Sequence, residues 1–244
     1  MPARPRSEII DQNEVGVYHC WNRIVRKRCL FGRDSVTGND YSYRKDWVRD
    51  QFRALAAFMA IQVFDYAILD NHLHVVLCNR PDIAEKWSDE EVARRWWNVC
   101  PKRKKSDGTA AEPKACELRE LIADAAEYRS RLSDISWIMR LAQQRVARRA
   151  NLEDDVDGRF FAQRFYSKYL PDEESLLRCS VYVGLNGIHA GLVRCPEDFQ
   201  YASIFERIQF RWRQVMGTTG IAISAIALEF DASWLAPITL EQGY

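Results

Sequence analysis

The 244-residue chain lacks several features that would each have narrowed its function. Its seven cysteines (Cys20, Cys29, Cys78, Cys100, Cys116, Cys179 and Cys195) include no Cys-x-x-Cys pair, and their number is odd. That spacing argues against both a disulfide framework and a zinc ribbon, and fits a reducing compartment. No apolar run approaches the roughly 18 residues that a membrane-crossing helix needs. Met1 to Glu8 has no apolar stretch behind it, so the expectation is a cytoplasmic protein with no membrane partner. Net charge is scarce as well, at +1, so bulk electrostatics point to no partner class. Internal repeats and low-complexity segments are missing too. Hydrophobic residues make up 47% and charged residues 28%, enough apolar material for a core without staples.

The charge that is present is clustered. Arg23, Arg26, Lys27 and Arg28 form one basic group, Lys102 to Lys105 a second, and Arg140 to Arg149 a third. Each can contact a phosphate backbone or simply be a solvated face. Val15 to Arg23 alternates like a strand, and Lys45 to Ala60 carries apolar residues at helical spacing. Gln62 to Leu69 and His72 to Asn79 form a hairpin across the turn pair Asp70-Asn71. Ser88 caps a helix through Asn98, with Glu91 at the capping-box position. Residues 101–114 read as an exposed polar loop. A long helical region runs from about Cys116 to Asn151, with a break at Ser133-Asp134. The aromatic-basic segment Gly158 to Leu170 reads as a strand, and Asp172 caps a helix to about Leu185. The chain divides into a domain over residues 1–208 and an extension over 209–244, in which Gly217 to Gly220 reads as a loop before the apolar stretch Ile221 to Leu228. The order strand, helix, hairpin, helix, strand predicts a ferredoxin-like α+β fold: an antiparallel sheet with helices on one face, plus helical additions.

The sharpest chemical signal is Asp70-Asn71-His72-Leu73-His74-Val75-Val76-Leu77. Residues i and i+2 on a strand share a face, so two imidazoles stand side by side and can hold one divalent cation. The alternative for a bare His-x-His pair is a pair of surface or hydrogen-bonded histidines. His19 could approach the pair from a neighbouring strand or serve as a hydrogen-bonded core residue. Asp65 and Asp70 could ligate or orient, Asp70 more simply as a turn residue. Trp96 and Trp97 could stack on bases or divide between core and surface.

Read together, Tyr18-His19-Cys20-Trp21-Asn22-Arg23, the His-Leu-His strand, Gly158-Arg159-Phe160-Phe161-Ala162-Gln163-Arg164-Phe165, the block Tyr182-Val183-Gly184-Leu185-Asn186-Gly187-Ile188-His189-Ala190-Gly191-Leu192-Val193, and Pro196-Glu197-Asp198-Phe199 resemble the REP-associated tyrosine transposases, a branch of the HUH single-strand nucleases. The resemblance covers about Val15 to Ile204. It implies a histidine pair holding Mg²⁺ or Mn²⁺, a helix-borne tyrosine that attacks a phosphate of single-stranded DNA, and a 5′-phosphotyrosine intermediate. The implied partner is single-stranded or hairpin DNA, bound by a monomer or a homodimer. His189 stands where the family commonly has arginine, as a basic contact.

Aligned on Met139 and Asn151, the resemblance puts Val146 at the tyrosine position of the long helix, and valine cannot attack phosphorus. Ala150 falls where a third ligand is expected, which leaves Asn151 as the nearest polar substitute beside His72 and His74. The replacement nucleophiles are Tyr166, Tyr128 and Tyr169, with Tyr166 preferred for its basic surroundings. Metal-activated water, or a catalytically impaired metal- and DNA-binding protein derived from a transposase, are the other outcomes. Arg23, Arg26, Lys27, Arg28, Arg164 and Lys168 are the expected phosphate contacts. An unrelated metal-dependent hydrolase, or RNA in place of DNA, are competing readings.

Overall fold

The structure is a computed structural model that describes residues 8–219 and 232–238. Four strands form one antiparallel sheet: β1 (Gly16–Arg23), β2 (Ile61–Ile68), β3 (His72–Asn79) and β4 (Tyr166–Leu170), in the order β2-β3-β1-β4. Helix α1 (Arg44–Ala56) joins β1 to β2. Between β3 and β4 lie α2 (Pro81–Ala84), α3 (Asp89–Val99), α4 (Ala115–Ala123), α5 (Ala125–Leu132) and α6 (Ile135–Glu153). After β4 come α7 (Glu173–Gly184), α8 (Asn186–His189) and α9 (Ser203–Thr219). With α2 to α5 set aside as an insertion, the order is the βαββαβ of a ferredoxin-like α+β fold.

Register decides the faces. Tyr18, Cys20 and Asn22 pair with Leu77, Val75 and Leu73, and these side chains meet Val48, Phe52 and Leu55 of α1 and Ile138, Met139 and Val146 of α6. This is the main core. Asn22, fully buried in it, donates to the Gln143 side chain at 3.1 Å and the Gln163 carbonyl at 2.9 Å, so its amide is not stranded. The second face is partly covered as well. There Ala67, Leu69, Val76 and Leu170 pack against Val183 and Leu176 of α7 and Phe199 and Ala202 before α9. The helical additions therefore reach the face that α1 and α6 leave open. Gly187 permits this docking, because a Cβ there would sit 2.6 Å from the Phe199 ring.

Local signals account for the helix boundaries. Ser88 accepts the Glu91 amide at 3.2 Å, Asp134 the Ser136 amide at 2.6 Å, and Asp172 the Ser175 amide at 2.7 Å. Asp134 thus starts α6 at the break expected near Ser133-Asp134. The segment 158–170 is a strand only from Tyr166 onward. Helix α9 runs through the 208/209 boundary and through residues 217–219, where a loop was expected; the apolar stretch 221–228 lies outside the described residues. Beyond it, Leu235 bridges Val63 in parallel, the Ala236 amide donates to the Val63 carbonyl at 2.8 Å, and Trp234 stacks on Tyr66.

Candidate functional site

The hairpin turn sets the histidine pair. The Leu69 amide donates to the His72 carbonyl at 2.8 Å, and Lys45 fixes the Asp70 carboxylate at 2.7 Å. With register locked, His72 and His74 project on the second face of the sheet, their ring centroids 5.1 Å apart. Arg23 and Trp21 stand opposite them on β1. His19 belongs to the same face, and its Nε2 lies 2.9 Å from Nδ1 of His74. Only one proton can occupy that contact.

The electrostatics agree with neutral rings. Burial, with Lys168 nearby, holds His19 down to about 4. Burial, with His19, His72 and Arg23 nearby, holds His74 down to about 3. His72 is lowered by burial and by Arg23, with Asp70 opposing. A neutral imidazole is the form that ligates a cation. The Nδ1 of His72 lies 2.6 Å from the Asn71 side-chain oxygen, an acceptor, so that nitrogen carries the proton and Nε2 keeps its lone pair. The contacts of both rings thus engage Nδ1 and leave Nε2 of each available. Among the described residues no set of three or more His, Cys, Asp or Glu side chains is gathered to hold a metal ion. The donor set fits a cation whose remaining positions are filled by oxygen from water or phosphate, but not a closed structural site.

A tyrosine that the sequence reading did not single out completes the group. Tyr182 of α7 sits edge-on over the His74 ring at 5.5 Å and over His19 at 6.0 Å, and it remains 45% exposed. Exposed His189 also lies against the Tyr182 ring, at 6.5 Å. His19, His72 and His74 thus share one sheet face, and the accessible Tyr182 ring links His19 and His74 to His189 of α8. Tyr182 lies four residues before Asn186, one helical turn, within the Leu-Asn block. The buried Asn186 side chain donates to the Tyr182 carbonyl at 2.9 Å and locks that turn.

The other nominated residues separate. Tyr166 shares the face, opposite Trp21, with Gln163 donating to its hydroxyl. Tyr169 has the opposite parity and packs beside Tyr18. Tyr128 is stacked on Trp96 at 4.8 Å in the inserted helices, where Arg131 also covers it. It is not brought to the histidines. Val146 is buried in the main core beneath the sheet, on the side away from His72 and His74. Asn151, at the end of the same helix, donates to the Gly158 carbonyl at 2.9 Å and lines a cleft of about 890 Å³ with Arg26 and Arg28. It is no neighbour of the pair. Asp65 is engaged by Ser203 at 2.8 Å, and Trp96 and Trp97 are buried.

The basic residues divide too. Arg23 and Lys168 flank the histidines on their own face, and exposed Arg164 precedes β4. Arg26 and Lys27 adopt left-handed conformations, with φ of 55° and 57°, and project from the loop after β1. Arg28 is paired with Asp34, its Nε donating at 2.9 Å, which takes it out of the set of free phosphate contacts.

Neither a protein-family model nor a curated protein matches the chain. A solved structure of a REP-associated tyrosine transposase bound to a REP hairpin superposes on it at 11% identity with a TM-score of 0.44, covering 92% of this chain and 87% of that one. At that level of likeness, the functional reading has to come from the geometry of the site itself.

Proposed function

We propose that this protein binds single-stranded or hairpin DNA and cleaves and rejoins it by phosphoryl transfer, with Tyr182 as nucleophile and His72 and His74 as the metal-holding pair. The observation that carries the reading is the accessible Tyr182 ring packed against His74 on the sheet face that carries His19, His72 and His74. His72 and His74 would hold a divalent cation, Mg²⁺ or Mn²⁺, which would supply charge neutralisation at the phosphate oxygens. Arg23 and Lys168 draw the DNA anion to the same face. The Tyr182 oxygen attacks phosphorus, forms a tyrosyl phosphoester and releases a DNA hydroxyl. Return of that hydroxyl rejoins the strand, because the ester linkage is conserved throughout. Val146 has no part in this, so a valine on α6 does not imply lost chemistry.

The test is incubation of labelled hairpin DNA with Mn²⁺, followed by a denaturing gel. Wild type and Tyr166→Phe should form a covalent protein–DNA adduct. Tyr182→Phe and His72→Ala/His74→Ala should form none while still binding the hairpin. An adduct that persists in Tyr182→Phe refutes the assignment of the nucleophile. Cleavage without an adduct points to activated water, and binding without cleavage to a binding protein on this scaffold.

A further inference from the structure

Aromatic rings run in a row away from the histidine pair. His74 stacks on His19 at 5.1 Å and 20°, His19 lies against Trp21 at 5.0 Å and 31°, and Trp21 stacks on Tyr166 at 5.3 Å and 17°. The four side chains come from three adjacent strands, β3, β1 and β4, and all stand on one face. Exposure grows along the row, from buried His74 and His19 through half-buried Trp21 to exposed Tyr166. A row of this kind is costly to leave facing water if its only purpose is to fill a core, since the main core lies on the other face.

Charge completes the pattern. Arg23, Lys168 and exposed Arg164 border the row, and none of them forms an ion pair among the described residues. Elsewhere arginines are commonly matched to acids: Arg28 to Asp34, Arg103 to Glu117, Arg129 to Asp89 and Arg178 to Glu174. Aligned rings with unmatched cations beside them are the two components of a single-strand track. Flat π faces take bases of any identity, and the cations follow the phosphates. Gln163, donating to the Tyr166 hydroxyl, holds the outermost ring in place.

We propose that the Trp21–Tyr166 pair is a base-stacking platform that holds an unpaired nucleotide next to the phosphate presented to the histidine pair. The proposal rests on the reading of that pair as a phosphodiester site and extends it: the substrate needs an unpaired base beside the reacting linkage, of no fixed identity. Trp21 and Tyr166 are positioning residues here.

The experiment uses the full chain and a short DNA hairpin with an all-thymine single-stranded flank, read by fluorescence anisotropy. Each flank position is replaced in turn by an abasic nucleotide. One position should lose roughly ten- to a hundredfold in affinity, the range of a single base–aromatic stack. Trp21→Leu and Tyr166→Leu should lose a similar factor, and the abasic substitution should then cost them nothing more. An RNA flank of uracils should show the same loss, because stacking does not read the sugar. If every abasic position is neutral, or if the losses simply add, the platform is refuted while hairpin binding and adduct formation stand. Failure of wild-type protein to bind the hairpin at all overturns the phosphodiester reading, and the platform with it.

Discussion

Replacing His19 by phenylalanine should weaken divalent-cation binding, although His19 would not itself touch the ion. The ring volume is nearly kept, so packing changes little, but Nδ1 of His74 loses the partner 2.9 Å away. His74 is 6% exposed, so that nitrogen has no easy access to water. A buried polar group left without a partner costs about 1–3 kcal/mol. For a chain of this size each kcal/mol shifts the melting point by roughly 2–4 °C. Freed from His19, the His74 ring can rotate or change tautomer, which moves Nε2. Loss of such an orienting partner typically costs about 10–100-fold in metal affinity. Mn²⁺ titration by calorimetry, beside a thermal melt, separates the two effects. His19→Gln, whose amide oxygen can accept from the same proton, should recover much of the affinity. If His19→Phe melts earlier yet binds Mn²⁺ as tightly as wild type, His19 only packs, and the proposed chain from His19 through His74 to the cation is wrong.

Acidification should destabilise the metal-free protein. Burial holds His19 and His74 at about 4 and about 3 in the fold, against 6.5 for an ordinary histidine, so the unfolded chain takes up protons first. Stability is therefore full above pH 6.5 and falls as pH drops toward about 4, by no more than roughly 1.4 kcal/mol per pH unit for each ring. A flat urea midpoint across that window would contradict neutral buried rings. Val146→Ala should lower stability by about 1–3 kcal/mol through the cavity it leaves, because Val146 is 2% exposed, yet adduct formation by the folded protein should persist. An adduct lost from a variant that melts like wild type would put α6 back into the chemistry.

The strands and the histidine pair were legible because a period of two has only two phases. Once His72 and Leu73 alternate, the faces are decided, and the Asp70-Asn71 turn sets the register. The start of α6 was legible for a similar reason, since the Asp134 cap acts within its own first turn. Tyr182 was not legible in the same way. Its place beside His74 depends on α7 docking on the second face through Val183 and Leu176, a long-range contact that leaves no periodic trace near the histidines. The same limit left open where Asn151 and Val146 stand relative to the histidines. Both sit on a strongly patterned helix, but nothing local says on which side of the sheet that helix lies. His19 falls between these cases, since its strand was clear while its contact with His74, 55 residues away, was not.

The segment around Leu235 has a consequence for how the chain meets copies of itself. Strand β2 is an outer strand, and such strands offer unpaired amides and carbonyls as a template for a neighbouring chain. Here Ala236 takes the Val63 carbonyl, and the Ile68 amide is taken by the Tyr201 carbonyl at 2.9 Å, so both ends of that border are occupied from within. A chain ending before residue 232 would uncover the Val63 carbonyl and the face of the Tyr66 ring that Trp234 covers, an invitation to edge-to-edge aggregation. The opposite border, β4, is only five residues long and presents Lys168 to solvent, which discourages strand addition there. Growth of the sheet from one molecule into the next is thus opposed on both sides, by a covering peptide at one border and by brevity and charge at the other.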